Sequence, residues 1–303
     1  MDKGKNEAMY KDTPEYVLEL EDVTKDYGDF ALQQVSFAVP KGCICGFIGQ
    51  NGAGKTTTIK LIFDIIKLDG GNIRVFGQDM KSEGKALKEK IGVVYDEMGF
   101  HEFLTPKEIN TIMKNIYANW QEEVFFSYLK RFSLPLKKRC GSFSRGMRMK
   151  LQIAVALSHE AELLIMDEPT SGLDPIVRNE ILQIFQEFVL EENHTILLSS
   201  HITGDLERIA DRVVFIDHGR IILSGDKNEI LESHELLKCK KEDVEKIDEA
   251  DVVSVRRSDF STEILVKTGK DAKDKYSGMM REQATLEEIM IFYANRFLQK
   301  TQA

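Results

Sequence analysis

One stretch constrains the fold more than any other. Gly49-Gln50-Asn51-Gly52-Ala53-Gly54-Lys55-Thr56 fits GxxxxGK[ST] and lies between the apolar run Cys43–Ile48 and the amphipathic run TTTIKLIF. Its glycines let successive backbone N–H groups turn inward, and the helix that follows aims its positive end at whatever the loop encloses. Such a loop cradles phosphates. Lys55 adds a point charge on the outer phosphates, and the Thr56 hydroxyl suits Mg²⁺.

The surrounding pattern agrees with a strand–loop–helix placement. Tyr16–Val23 and Leu32–Val39 read as an opening strand pair, and Asn72–Phe76, Ile91–Tyr95, Leu163–Met166, Thr195–Ser199 and Val213–Ile216 as later strands. Continuous apolar runs such as LLIM, TILLS and VVFI suit strands covered on both faces, as in a parallel sheet. Helical stretches fall between them, which predicts a βαβ architecture. Between Asp96 and Leu163 only helical pattern occurs, with Thr105-Pro106-Lys107-Glu108 as a capping box. That interval, about 97–160, reads as a helical insertion. Behind residue 225 the composition changes: KCKKEDVEKIDE (Lys238–Glu249) reads as a solvated face or linker, Val252–Val255 and Thr262–Val266 as strands. Thr285-Leu286-Glu287-Glu288 opens a helix with Leu286, Ile289, Tyr293 and Phe297 on one stripe. The expected division is 14–225 and 226–303.

A buried strand also ends in Asp167-Glu168, at the carboxyl end of the sheet where the phosphates would sit. Asp167 can hold Mg²⁺ or its water, and Glu168 can polarise an attacking water. Around them the chain reads SFSRGMRMKLQIAVALSHEAELLIMDEPTSGLDP from Ser142 to Pro175. This resembles the ATP-binding subunit of ABC transporters, with motifs in order over residues 16–225. The resemblance implies a P-loop NTPase fold: a mostly parallel sheet core, N-terminal antiparallel strands, an inserted helical subdomain and a small C-terminal α/β appendage. Phe143-Ser144-Arg145-Gly146-Met147 looks like the signature, Ser171-Gly172-Leu173-Asp174 like the D-loop, His201 like the switch histidine, and Tyr27 like the residue on which adenine stacks.

The resemblance further implies ATP and Mg²⁺ as ligands. Glu168, His201 and Asp96 are its expected catalytic residues, and Thr56, Asp167 and Asp96 its metal ligands. Tyr27, Gly49, Asn51, Gly52, Gly54, Lys55, Thr56, Thr57, Ser144, Gly146 and Asp174 are expected to bind the nucleotide. Two copies or two paralogues would pack head to tail, each ATP lying between one P-loop and the partner's signature, and a separate transmembrane permease would meet the helical insertion. Asp96 stands where the family has Gln, Arg145 where it has Gly, and Met147 where it has Gln. Such variants resemble the exporter branch that includes small-peptide and antimicrobial systems.

Composition narrows the remaining classes. Among 303 residues, 50 acidic against 41 basic side chains give a formal charge of −9, which argues against coating nucleic acid. The longest apolar run, Gly42–Gly49, is too short to span a bilayer, which takes about 20 residues. The N-terminus has no apolar stretch of a signal peptide. Four cysteines without CxxC spacing read as reduced thiols. The expected location is cytoplasmic, peripheral on the inner face of the membrane through the permease. The alternative is a non-transport ABC ATPase acting on nucleic acid or ribosomes; a regulatory module that binds ATP without turnover is a third reading.

Overall fold

The computed structural model describes residues 16–301 apart from 98, 192, 258–261, 269–274 and 277, and not the side chains of 241, 242, 245 and 296–301. Residues 14 and 15 of the expected first unit, and the Phe297 side chain, lie outside the described residues.

Strands β1 (Tyr16–Asp26) and β2 (Ala31–Pro40) pair antiparallel, with Leu20 opposite Phe37 and Val23 opposite Val35. Strand β3 (Ile44–Ile48) is buried along its whole length and runs through the glycine-rich loop into α1 (Lys55–Ile62). Strands β4 (Gly70–Val75) and β5 (Gln78–Asp79) complete an outer sheet in the order β2-β1-β4-β5. Helix α2 (Met80–Lys88) starts on Asp79, whose side chain accepts from Lys81 and Ser82 N–H, and leads to β6 (Ile91–Val94).

The helical insertion then follows as expected. It comprises α3 (Pro106–Ile116), opened by the reciprocal Thr105–Glu108 capping box, α4 (Glu122–Arg131) and α5 (Arg145–Ala156). No strand lies between Val94 and Leu163 among the described residues. The chain re-enters the sheet at β7 (Leu163–Asp167), and continues through α6 (Pro175–Val189), β8 (Thr195–Ser200), α7 (Thr203–Ile209), β9 (Arg212–Asp217) and β10 (Arg220–Asp226).

The central sheet has the order β10-β9-β3-β8-β7-β6, parallel except for β10. Alternation along β3 sends Ile44 and Ile48 into the core under the insertion, and Cys45 and Phe47 into the core beneath the outer sheet. Both faces are covered, which is why its strands are continuously apolar.

Strand β10 has no counterpart in the sequence reading. It pairs with β9 through a turn at His218 and Gly219, both at positive φ (43° and 74°), the backbone that a tight two-residue hairpin requires. Beyond it, α8 (Lys227–Ser233) leads to β11 (His234–Cys239), β12 (Val252–Arg257), β13 (Thr262–Lys267), β14 (Met280–Gln283) and α9 (Leu286–Thr301). These four strands form a separate antiparallel sheet in the order β12-β13-β11-β14.

The start of the expected linker corrects to strand, because Lys238 and Cys239 are the end of β11, which sits inside the sheet. Successive residues of a strand face opposite sides. Leu236 enters the core shared with the central domain and Leu237 a small core on the far face, both fully buried. Leu286 and Ile289 of α9 are buried in the shared core, and Tyr293 packs against it.

Candidate functional site

The site forms where β3, β7 and β8 end. Gly49 can only be glycine there: a Cβ would sit 2.5 Å from the Ile216 carbonyl oxygen of β9. Gly52 and Gly54 hold φ of 82° and 116°, so the loop curls its N–H groups toward one centre. Gly54 is the N-cap of α1 and brings no side-chain cap, so the first-turn N–H groups of the helix face that centre as well. Asn51 is exposed on the loop, and Thr57 lies half-buried in the first turn of α1. The loop is also braced from a place that sequence reading missed. Gly219, in the β9–β10 turn, donates its N–H to the Ala53 carbonyl at 3.0 Å.

Lys55 is 5% exposed, and its ammonium donates to the carbonyls of Gly49 (2.7 Å) and Gln50 (3.2 Å). It lies 3.1 Å from Glu168 Oε1, an ion pair whose direction falls short of a hydrogen bond, so that oxygen is buried with no hydrogen-bond donor. The other carboxylate oxygen, Oε2, accepts from His201 at 2.7 Å, which puts the imidazole proton on Nδ1. Glu168 itself holds a positive φ of 53°, and its N–H donates to the Ser199 carbonyl at 3.1 Å. A non-glycine residue in that region is strained backbone that the neighbouring strand must hold in place.

Asp167 completes the cluster. Its Oδ2 accepts from the Thr56 hydroxyl at 2.7 Å and its Oδ1 from the Ser199 hydroxyl at 2.9 Å. Ser199 is a second functional position without a sequence signal, since in TILLSS it looks like ordinary strand. Burial, and then the Asp167 charge, push up the pKa of Tyr95, the residue that follows β6.

Lys55, Thr56, Asp167, Glu168 and His201 are thus gathered in one place. Tyr27 lies apart, 53% exposed on the β1–β2 turn, with the Lys25 ammonium 5.7 Å from its ring centre. That turn reaches the loop through Phe30, whose ring lies 3.1 Å from where a Gly54 Cβ would be. Ser144 caps α5, its hydroxyl accepting from Met147 N–H at 3.3 Å, and Gly146 follows in the first turn. Asp174 caps α6 by accepting from Ile176 and Val177 N–H. The carboxylate of Asp96, an expected metal ligand, is bound by the Arg145 guanidinium.

The donor set fits ATP with Mg²⁺. Thr56 and Asp167 present hard oxygens side by side, the chemistry Mg²⁺ takes from proteins, which usually supply it only one or two carboxylates. No group of three or more His, Cys, Asp or Glu forms a metal cage among the described residues, so any Mg²⁺ here would share its ligands with phosphate.

Residues 32–171 match the family described as ABC transporter. Over 209 residues the chain is 37% identical to the bacitracin transport ATP-binding protein BcrA of Bacillus licheniformis, covering 68% of each. It is 36% identical over 220 residues to the linearmycin resistance ATP-binding protein LnrL of Bacillus subtilis (strain 168), covering 71% of this chain and 70% of that one. A solved ATP-binding subunit of an ABC transporter superposes with a TM-score of 0.65 at 30% identity, over 71% of this chain and 91% of its own.

The chain belongs to the ABC transporter family of ATP-binding proteins. As an ABC ATPase it binds and hydrolyses ATP to drive transport. No helix among the described residues is long and apolar enough to cross a membrane.

Proposed function

We propose that this ABC ATPase powers export of small peptides or antimicrobials through a separate transmembrane permease, from the cytoplasmic face of the membrane. The observation that carries the catalytic part is the Lys55–Glu168–His201 arrangement beside Thr56–Asp167. The export part is supported by relatives named for bacitracin transport and linearmycin resistance. Action on nucleic acid or ribosomes finds no support among them.

Glu168 is the general base: His201 holds Oε2, which leaves Oε1 to take the proton of the attacking water. Lys55 leaves the loop carbonyls for the outer phosphates, while Gly49, Asn51, Gly52, Gly54 and Thr57 supply the cradle. Thr56 and Asp167 hold Mg²⁺, which when bound neutralises charge developing on the phosphates. Tyr27 stacks on the base. Ser144 and Asp174 are exposed at helix starts and Gly146 is half-buried beside Ser144, where a second copy or a paralogue packed head to tail would bring them to its neighbour's nucleotide.

We divide the chain near residue 225, into an ABC domain (14–225) and a C-terminal accessory domain (226–303). The separate sheet supports that division, although α9 shares the main core.

The test is co-expression with a candidate transmembrane permease taken from the neighbouring genes. ATP hydrolysis by the purified chain, and recovery in the membrane fraction only when the permease is present, are expected. Membrane association that survives deletion of the permease gene would overturn the permease assignment.

A further inference from the structure

Two residues that depart from the family pattern hold each other. Arg145, the first residue of α5, binds Asp96, which follows β6 in the loop entering the insertion, across 49 positions of sequence. The same guanidinium stands on the open side of Gly172, with its Cζ, Nε and Nη1 atoms 3.3–3.4 Å from where a Cβ would stand. Gly172 has a φ of 65°, so an alanine there would be both strained and pressed on the guanidinium.

The turn that carries Gly172 begins at the catalytic carboxylate. Ser171 N–H donates to the Glu168 carbonyl at 3.2 Å, and Leu173, just beyond, is buried. Arg145 thus stands between Asp96 and the Gly172 turn, and that turn is tied by hydrogen bond to the strained Glu168 backbone.

The pair is accompanied by a second polar grip between α5 and the end of β6. Two helical turns further on, buried Gln152 accepts from Tyr95 N–H (3.4 Å) and donates to the Tyr95 carbonyl (3.1 Å), holding both backbone groups. That neutral grip fixes the helix to the strand. Arg145 and Asp96 are each 47% exposed, and an ion pair so exposed adds little to stability.

We infer that Asp96 and Arg145 are a positioning pair for Glu168: Asp96 orients the guanidinium over Gly172, and the guanidinium fixes the turn on which the base stands. This rests on Glu168 being the base. A planar group is needed on one side and an anion on the other, which explains why both departures occur together in this chain.

Steady-state ATP hydrolysis by the full chain tests it in Arg145→Ala, Asp96→Asn and the double variant. Each single change is expected to lower kcat by roughly tenfold with KM for ATP within about twofold, the signature of a displaced catalytic group. The double variant falls by about tenfold, not a hundredfold, because residues acting through one contact are not additive. Arg145→Lys keeps the charge but loses the plane, and stays closer to Arg145→Ala than to wild type. ATP affinity titrated in a Glu168→Gln background, and the melting temperature, are unchanged by both substitutions.

Wild-type kcat in the single variants overturns the pairing, as does a multiplicative double. A loss confined to KM or to ATP affinity would instead make Arg145 a nucleotide contact. A wild-type chain without hydrolysis would bring down the ATPase reading itself, a result distinct from active wild type with indifferent variants.

Discussion

The central sheet and the C-terminal sheet of this chain bury their strands by opposite means. In the central sheet β3, β7 and β8 are buried at every residue, because helices and the outer sheet cover both faces. Parallel strands so covered all end on one side, and there the chain sets Asp167, Glu168 and Ser200. In the C-terminal sheet every pairing is antiparallel, β14 is wholly exposed, and lysine–acid pairs such as Lys238–Glu282 and Lys275–Asp248 line its surface. Neighbouring antiparallel strands end on opposite sides, and the charged group that gathers beside this sheet, Lys275 between Asp248 and Asp251, is an ion-pair cluster near the surface. Chemistry therefore concentrates in one sheet, and the other offers packing.

The largest effect expected from that contrast is at Glu168. Glu168→Gln keeps an amide that His201 and Lys55 can still flank, but removes the proton acceptor. Hydrolysis should fall by about 10²–10⁴-fold, the usual contribution of a positioned base, with ATP binding retained. Phosphate release and equilibrium nucleotide titration measure the two separately. Near-normal turnover would remove Glu168 from the chemistry, and lost binding would make it structural.

A matched pair of core truncations sharpens the comparison. Ile165 of β7 and Ile264 of β13 are both fully buried, and truncating either to alanine should cost about 2–5 kcal/mol of stability. The consequences for activity should differ. Ile165 lies two residues before Asp167 in the strand, so Ile165→Ala should also lower hydrolysis per folded molecule. Ile264→Ala lies in the far-side core with Leu237 and Val266 and should leave it near wild type. Denaturant midpoints with hydrolysis corrected for folded fraction give the answer. Equal losses of activity would mean that the two sheets act as one mechanical unit, against the contrast drawn above.

The same contrast explains what could be read in advance. The phosphate loop, the strand-end carboxylates and the capping box at Thr105 are local patterns, and each lies where its residues place it. The ATPase family followed from motif order. What escaped depends on partners distant in sequence. Ser199 matters only because β8 lies beside β7, and Gly219 only because its turn touches Ala53. Asp96 reads as a metal ligand, and its ion pair goes unseen, because Arg145 lies 49 positions away on α5. Strand β11 was hidden because lysine and glutamate surround Leu236 and Leu237, which face two different cores.

The smallest effect is one of pH, and it is expected alike in both regions. His159, behind the insertion, is stacked on Tyr117 with ring centres 4.0 Å apart, and His234 lies where α8 meets β11. Each is 1% exposed, and burial lowers the pKa of both. His234 donates from Nδ1 to the Ile230 carbonyl at 2.7 Å, and its Nε2 accepts from the Tyr293 hydroxyl at 3.0 Å, so protonation would cost it that acceptor. The Lys267 charge adds to the opposition. A histidine whose folded pKa is depressed leaves the unfolded chain holding more protons just below its ordinary value of about 6.5. Its contribution to stability is complete above that pH and is lost as pH falls toward the folded value, by at most about 1.4 kcal/mol per pH unit. His234→Gln removes this titration while keeping a side chain able to hydrogen-bond. The stability difference between wild type and His234→Gln should therefore shrink from pH 7 to pH 5, read from urea midpoints at each pH. His159→Gln should behave alike. A difference that stays constant with pH would mean that His234 is protonated as easily in the fold as in the unfolded chain, and that the junction between the two sheets is open to water.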